Sequence, residues 1–185
     1  MTRDKIIKVA TQHISKNGFI GSSMRDIASQ VGIEASSLYS HFSSKEAILA
    51  EICLSGLKSF IERLKNNIQL NRSVVAQLEA VVEFMINENM TNWDLNRVLF
   101  NDYKHLTSKH LDEFKRLRKE LEKVLGELLQ KGIKSNKFKN HDPDLSFVIL
   151  LALSNLPNLS SKKYKNLVDK NLQKIKDILL HGLIK

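Results

Sequence analysis

Between Met24 and Lys45 the chain reads MRDIASQVGIEASSLYSHFSSK. Two short apolar patterns of helical period meet there at Val31-Gly32-Ile33, and Gly32 can turn the backbone sharply without strain. Helices joined so tightly cross at short range. Ala28, beside Ile27 and Val31 on the inward face of the first helix, is small enough to permit it. The second helix, over about 35–41, is anchored by Leu38 and Phe42. That leaves Ser36, Ser37, Tyr39, Ser40 and His41 facing outward. The spacing predicts a helix-turn-helix, with the rest of the chain arranged to support it.

The flanks fit that arrangement. Ile6, Ile7, Ala10 and Ile14 predict a helix over 3–17, with Asp4 in its first turn and Lys16 in its last, as the helix dipole favours. Gly18 suits a left-handed C-cap, Phe19 and Ile20 plug a short loop, and Ser22 or Ser23 caps the helix of 24–31. Downstream, Ser43-x-x-Glu46 reads as a capping box opening a long fourth helix to about residue 69. Its apolar stripe is Ala47, Ile48, Ile52, Leu57, Phe60, Ile61, Leu64 and Ile68.

The pattern stays helical beyond. Helices are expected near 72–89, 94–105 and 108–132, the last with Leu111, Phe114, Leu117, Leu121, Leu125 and Leu128 on one face and dense charge on the other. The segment KGIKSNKFKNH reads as a loop with Phe138 tucked inward. Asp142 as N-cap and Pro143 as first helical residue start the next helix cleanly. That helix, about 143–155, is apolar almost all round, so every side must be covered. It is too short for a bilayer, and Leu156-Pro157 ends it. A final helix, about 161–183, carries Leu167, Val168, Leu172, Ile175, Leu179 and Leu183. With 7 Gly and 2 Pro in 185 residues, turns are too few for a sheet protein, and the fold class is all-α. Two copies of the last helical hairpin would make a four-helix bundle and so a homodimer, the alternative being that both helices pack only within their own chain.

The net charge of +9 suits a polyanionic partner. Residues 1–60, however, hold seven Lys and Arg against five Asp and Glu, so most of the excess lies elsewhere. The single cysteine, Cys53, rules out an internal disulfide and reads as a small buried hydrophobe. No metal-spaced His, Cys or Asp group, phosphate loop or nucleophile triad appears, so neither cofactor nor metal nor enzymatic activity is expected. MTRDKIIK is no signal peptide and no span is apolar enough for a membrane, so the expected location is the cytoplasm.

Ala10, Gly18 with Phe19, Ser22-Ser23-Met24, Ile27-Ala28, Gly32-Ile33, Leu38-Tyr39, His41-Phe42, and Ser44-Lys45-Glu46 leading to Leu49 stand at fixed offsets. Over about residues 3–50, without a gap, the chain resembles the TetR family of bacterial transcriptional repressors. The remainder is similar to that family in size and helical character. The resemblance implies a DNA-binding domain, residues 1–46, consisting of a three-helix bundle with the helix-turn-helix. It implies a larger effector-binding and dimerisation domain, residues 47–185. The partners it implies are double-stranded DNA with a palindromic operator, a second copy of the chain, and a small-molecule effector.

Each candidate contact has a physical reason and a plainer alternative. Most protein–DNA hydrogen bonds go to phosphate and set the register. Tyr39 can donate its phenol to a phosphate, or be a core aromatic. His41 can do the same, or cap the helix end. Lys45 joins its ammonium to a helix N-terminus, both favouring phosphate, or is a solvated lysine. Ser23 adds a hydroxyl, or is only an N-cap. Arg25 can reach guanine, or form a surface salt bridge, while Ala35, Ser36, Ser37 and Ser40 make the reading face. Glu34 stands where many family members have Ser or Thr as N-cap, and its role stays open. The pocket candidates are Phe60, Phe84, Met85, Trp93, Phe100 and Tyr103, each with core packing as its alternative. The dimer candidates are Leu145, Val148, Ile149, Ala152, Leu172, Ile175 and Leu179. The leading expectation is a repressor released from a palindromic operator by a small, largely apolar ligand. Its rival is a nucleoid-type protein that binds DNA without sequence preference.

Overall fold

The computed structural model describes residues 3–68, 73–153 and 162–184. Among them run nine α-helices: α1 Arg3–Asn17, α2 Met24–Val31, α3 Ala35–His41, α4 Lys45–Asn67, α5 Val74–Thr91, α6 Trp93–Asn101, α7 Ser108–Lys134, α8 Pro143–Leu153 and α9 Lys162–Leu183. A 3-10 turn, Tyr103–His105, follows α6. Extended pairing among the described residues is limited to an isolated antiparallel bridge between Phe138 and Ile184. The chain is all-α.

Its contacts divide it into two compact units, Met1–Ser59 with Asp94–Arg118, and Phe60–Trp93 with Lys119–Lys185. These units interleave along the sequence. Long helices cause this: α4 and α7 each give one part to each unit.

In the first unit α1 packs on α2 and α2 on α3. The core is Ile6, Ala10, Ile14, Ile27, Ala28, Leu38 and Phe42 with Ile48, Leu49 and Ile52 of α4, all buried. Gly18 (φ 75°) and Gly32 (φ 82°) both take the left-handed conformation, which other residues adopt only with strain. The Gly32 and Ile33 amides donate to the Ala28 carbonyl, 3.0 Å each, closing the end of α2. Arg3 ties the unit together in a way the apolar pattern does not signal. Its guanidinium donates to the His41 carbonyl (2.9 Å) and the Glu51 carboxylate (3.2 Å), and lies 4.0 Å from the centre of the Phe42 ring.

In the second unit α8 and α9 pack on α5, whose Val74, Leu78, Val81, Val82, Met85 and Ile86 are buried. Glu88 of α5 is also buried, and Arg63 of α4 donates to both its oxygens, at 3.2 and 2.7 Å. A buried carboxylate without such a partner would be costly. Lys176 of α9 pairs with Glu83 at 3.0 Å.

Several boundaries differ from expectation. The fourth helix begins at Lys45, and Ser44, not Ser43, caps it: the Ala47 amide donates to Ser44 Oγ at 3.2 Å. No Ser43–Glu46 bond is present among the described residues; a capping box occurs at Ser23 and Asp26 instead. The segment 94–105 is a helix and a separate 3-10 turn. Helix α7 runs past Gly132 to Lys134, and the loop is shorter than expected, with Phe138 buried as anticipated. The expected stop of α8 at Leu156-Pro157 lies outside the described residues.

Helix α8 is not covered on every side within one chain. Leu145, Val148, Ile149 and Ala152 are exposed along one face, while Ser146 and Leu150 are buried. On α9, Ile175 and Leu179 are half-buried and Ile178, not among the interface candidates, is 74% exposed. Leu172 lies in α9, but its side chain is outside the described set.

Candidate nucleic-acid interface

The N-termini of α2 and α4 and the outer face of α3 come together around an open groove of about 430 Å3. Ser22, Ser23, Met24, Arg25, Tyr39, Ser43, Ser44, Lys45 and Glu46 line it. Four predicted contacts, Ser23, Arg25, Tyr39 and Lys45, are therefore brought to one place. Residues of both helix N-termini line it, and the positive dipole end of a helix favours an anion.

Tyr39 is 53% exposed, which removes the core-aromatic alternative. Arg25 is exposed and has no ion-pair partner among the described residues, so a surface salt bridge does not account for it. His41 is half-buried, and its carbonyl accepts from Arg3. Ser36 and Ser37 are exposed on α3, Ala35 is half-buried, and the Ser40 hydroxyl donates to the Ser37 carbonyl at 2.7 Å. Glu34 precedes α3 without a side-chain capping bond.

Two residues differ from the simple picture. The Ser23 hydroxyl accepts from the Asp26 amide (3.1 Å) and donates to the Asp26 carboxylate (2.5 Å), whose second contact is the Ser23 amide at 2.9 Å. This reciprocal cap engages the hydroxyl inside the protein. The Ser23 hydroxyl bond is also the main reason the Asp26 carboxyl titrates below the usual aspartate range. Lys45 is not a solvated lysine. Its ammonium donates to the Phe19 carbonyl (2.7 Å) and the Ser22 carbonyl (2.6 Å), and sits 4.2 Å from the centre of the Phe19 ring. An ammonium has three donors, so one N–H remains beyond these two bonds.

Sequence reasoning missed Ser22, Ser43, Ser44 and Glu46 as groove lining, the bond from Arg3 to the His41 carbonyl, and the bond from the Phe19 amide to Asp102 Oδ1. Ser44 and Glu46 were legible as neighbours of Lys45. Arg3 and Asp102 act across 38 and 83 positions of sequence, and no local pattern signals them.

The pocket candidates divide between the two units. Phe60, Phe84, Met85 and Trp93 belong to the second, Phe100 and Tyr103 to the first. Phe60 and Phe84 are buried and meet in a tilted pair with centroids 5.2 Å apart; Tyr103 stacks on Phe114 at 5.1 Å. These contacts are core packing. No described helix is long and apolar enough to cross a membrane.

A Gly-turned helix pair, a polar outer helix and an anion-favouring groove at two helix N-termini define a helix-turn-helix DNA-binding regulator. Residues 6–52 match the model of bacterial regulatory proteins, tetR family, and residues 71–158 match the tetracyclin repressor-like C-terminal domain. The chain belongs to the TetR family of transcriptional regulators. It is 25% identical over 150 residues to the HTH-type transcriptional repressor KstR2 of Rhodococcus jostii (strain RHA1), covering 80% of this chain and 74% of that protein. It is 32% identical over 120 residues to the HTH-type transcriptional regulator UidR of Escherichia coli (strain K12), covering 57% of this chain and 60% of that protein. Among solved structures, the TetR family transcriptional regulator PfmR from Thermus thermophilus superposes with a TM-score of 0.84 at 24% identity. That match covers 100% of this chain and 98% of that one.

Proposed function

We propose that this regulator is a repressor that binds a palindromic operator as a homodimer and leaves it when a small, largely apolar ligand binds. The observation that carries the reading is the groove where Tyr39 and Lys45 meet the N-termini of α2 and α4 beside the outer face of α3. Tyr39, Lys45 and the helix-end amides would hold phosphates and so set register. Arg25, Ala35, Ser36, Ser37 and Ser40 would then face base edges in the major groove. Residues 1–46 would carry DNA recognition, and 47–185 the effector and the dimer contact.

The exposed face of Leu145, Val148, Ile149 and Ala152, with Ile178 added, supports the homodimer. Apolar residues at helical spacing facing water are a liability for a lone chain and an asset for a symmetric pair. Two-fold symmetry in the protein requires two-fold symmetry in the operator. A ligand that releases DNA must bind better to the arrangement that does not fit the operator. The effector reading rests on the family, the sequence candidates being engaged in packing within their own units.

Selection from a random duplex library, followed by footprinting, tests the proposal. An enriched inverted repeat with one protected half-site per protomer is expected. Uniform protection without an enriched motif would instead support non-specific, nucleoid-type binding driven by the +9 charge. Light scattering on a Val148→Asp, Ile178→Asp double variant tests the interface; a change from dimer to monomer is expected.

A further inference from the structure

Phe19 is held from three directions by residues distant in sequence. Its amide donates to Asp102 Oδ1 at 3.0 Å in a buried bond. Its ring stacks on His105, centroids 5.3 Å apart and planes 20° from parallel. Its carbonyl accepts from the Lys45 ammonium. The loop is further braced by the Ser22 hydroxyl on the Gly18 carbonyl, 2.7 Å, and the Ser22 amide on the Phe19 carbonyl, 3.3 Å. Asp102 itself is 7% exposed, so its carboxylate faces the Phe19 amide with little water to compete.

We infer that Asp102 is a positioning residue for operator binding, holding through Phe19 the two carbonyls that aim the Lys45 ammonium at the groove. Two carbonyl acceptors restrain an ammonium on a flexible four-carbon stem and leave one N–H for a phosphate. A preorganised donor avoids the ordering cost that a freely rotating lysine meets on binding. Without the Asp102 bond, the Phe19 amide is left buried and unpaired, a state the loop escapes by shifting. The Phe19 and Ser22 carbonyls then no longer hold the ammonium in place. His105 stacks on the same ring, so it belongs to the same device. This inference rests on the reading of Lys45 as a phosphate contact.

The test measures affinity for the selected operator at several salt concentrations, using the full chain. The variants are Lys45→Met, Asp102→Ala, Asp102→Asn and the Asp102→Ala, Lys45→Met pair. Lys45→Met should weaken binding and reduce the salt slope by about 0.9 per protomer. Asp102→Ala should weaken binding roughly three- to tenfold, about the worth of one hydrogen bond. In the Lys45→Met background it should add no further loss, because its effect passes through Lys45. Asp102→Asn, which keeps an oxygen acceptor for the Phe19 amide, should bind like the parent. If Asp102→Ala does not fold, His105→Ala, which removes only the stacked ring of a half-buried residue, enters the same cycle with the same expectation. An Asp102→Ala or His105→Ala loss that is equally large in the Lys45→Met background, or absent in both, overturns the inference and leaves the Lys45 reading intact. An unchanged salt slope in Lys45→Met overturns that reading and the inference with it.

Discussion

The ring of Phe138 occupies the space that a side chain on Gly132 would need: a Cβ there would lie 2.0 Å from the ring. Gly132 is inside α7, where glycine is unfavourable by about 1 kcal/mol relative to alanine. Ring packing outweighs that cost. Gly132→Ala is therefore expected to destabilise the protein by about 1–3 kcal/mol, read as a lower urea midpoint. Phe138→Leu should cost less in the Gly132→Ala background than in the parent, because the smaller side chain relieves the clash.

Tyr39 and Ser37 are expected to separate affinity from specificity. Tyr39→Phe removes one donor to phosphate and should weaken operator and random DNA alike, by about 1.5–3 kcal/mol. Ser37→Ala, on the exposed face of α3, should change base preference and leave binding to random DNA unaltered. Competition titrations with both DNAs check this. Loss confined to the operator in Tyr39→Phe would remove the phosphate role.

The Ser23–Asp26 cap makes the start of α2 sensitive to acid. The folded Asp26 carboxyl titrates below its ordinary value, chiefly through the Ser23 hydroxyl. A depressed folded pKa contributes stability above the unfolded value, near pH 4, and that contribution fades as pH falls through the folded value. The melting-temperature gap between the parent and Asp26→Asn should be present at pH 7 and shrink steadily below pH 4. A gap that is constant with pH would count against the charged cap.

Burial, with a smaller contribution from the nearby Asp102 charge, pushes the Cys53 thiol up to about 12. A thiol with so little thiolate at pH 8 is a poor nucleophile. Cys53 is expected to resist iodoacetamide in the folded protein and to react at once in denaturant. Because the folded pKa is raised, its contribution to stability holds below the unfolded value, near 8.5, and is lost as pH rises from there toward 12. Rapid labelling of the native protein at pH 8 would contradict the burial.

Much of the first unit could be read from local pattern. The ends of α1, α2 and α3 follow from Gly18, Gly32 and the apolar spacing, because left-handed backbone and helical periodicity are properties of a few adjacent residues. Two serines in a row at 22–23 left that cap open, and at 43–44 the Ser43-x-x-Glu46 spacing pointed to the first serine, since either serine could satisfy the same amides. In both places the second serine caps, and the choice follows from the path of the chain into the helix.

What the amino-acid sequence determined by itself is the all-α class, the helix-turn-helix and the exposed polar face of α3, all set by short-range preferences. What the tertiary structure alone decided is how the groove is held. Lys45 looked like a free charge beside a helix end, yet its ammonium is held by the carbonyls of Phe19 and Ser22, and Phe19 in turn by Asp102 and His105. The same holds for Arg3 reaching the end of α3 and for the ring of Phe138 against Gly132. Such contacts join residues whose separation along the chain carries no periodic signal, and only packing brings them within hydrogen-bonding or van der Waals range.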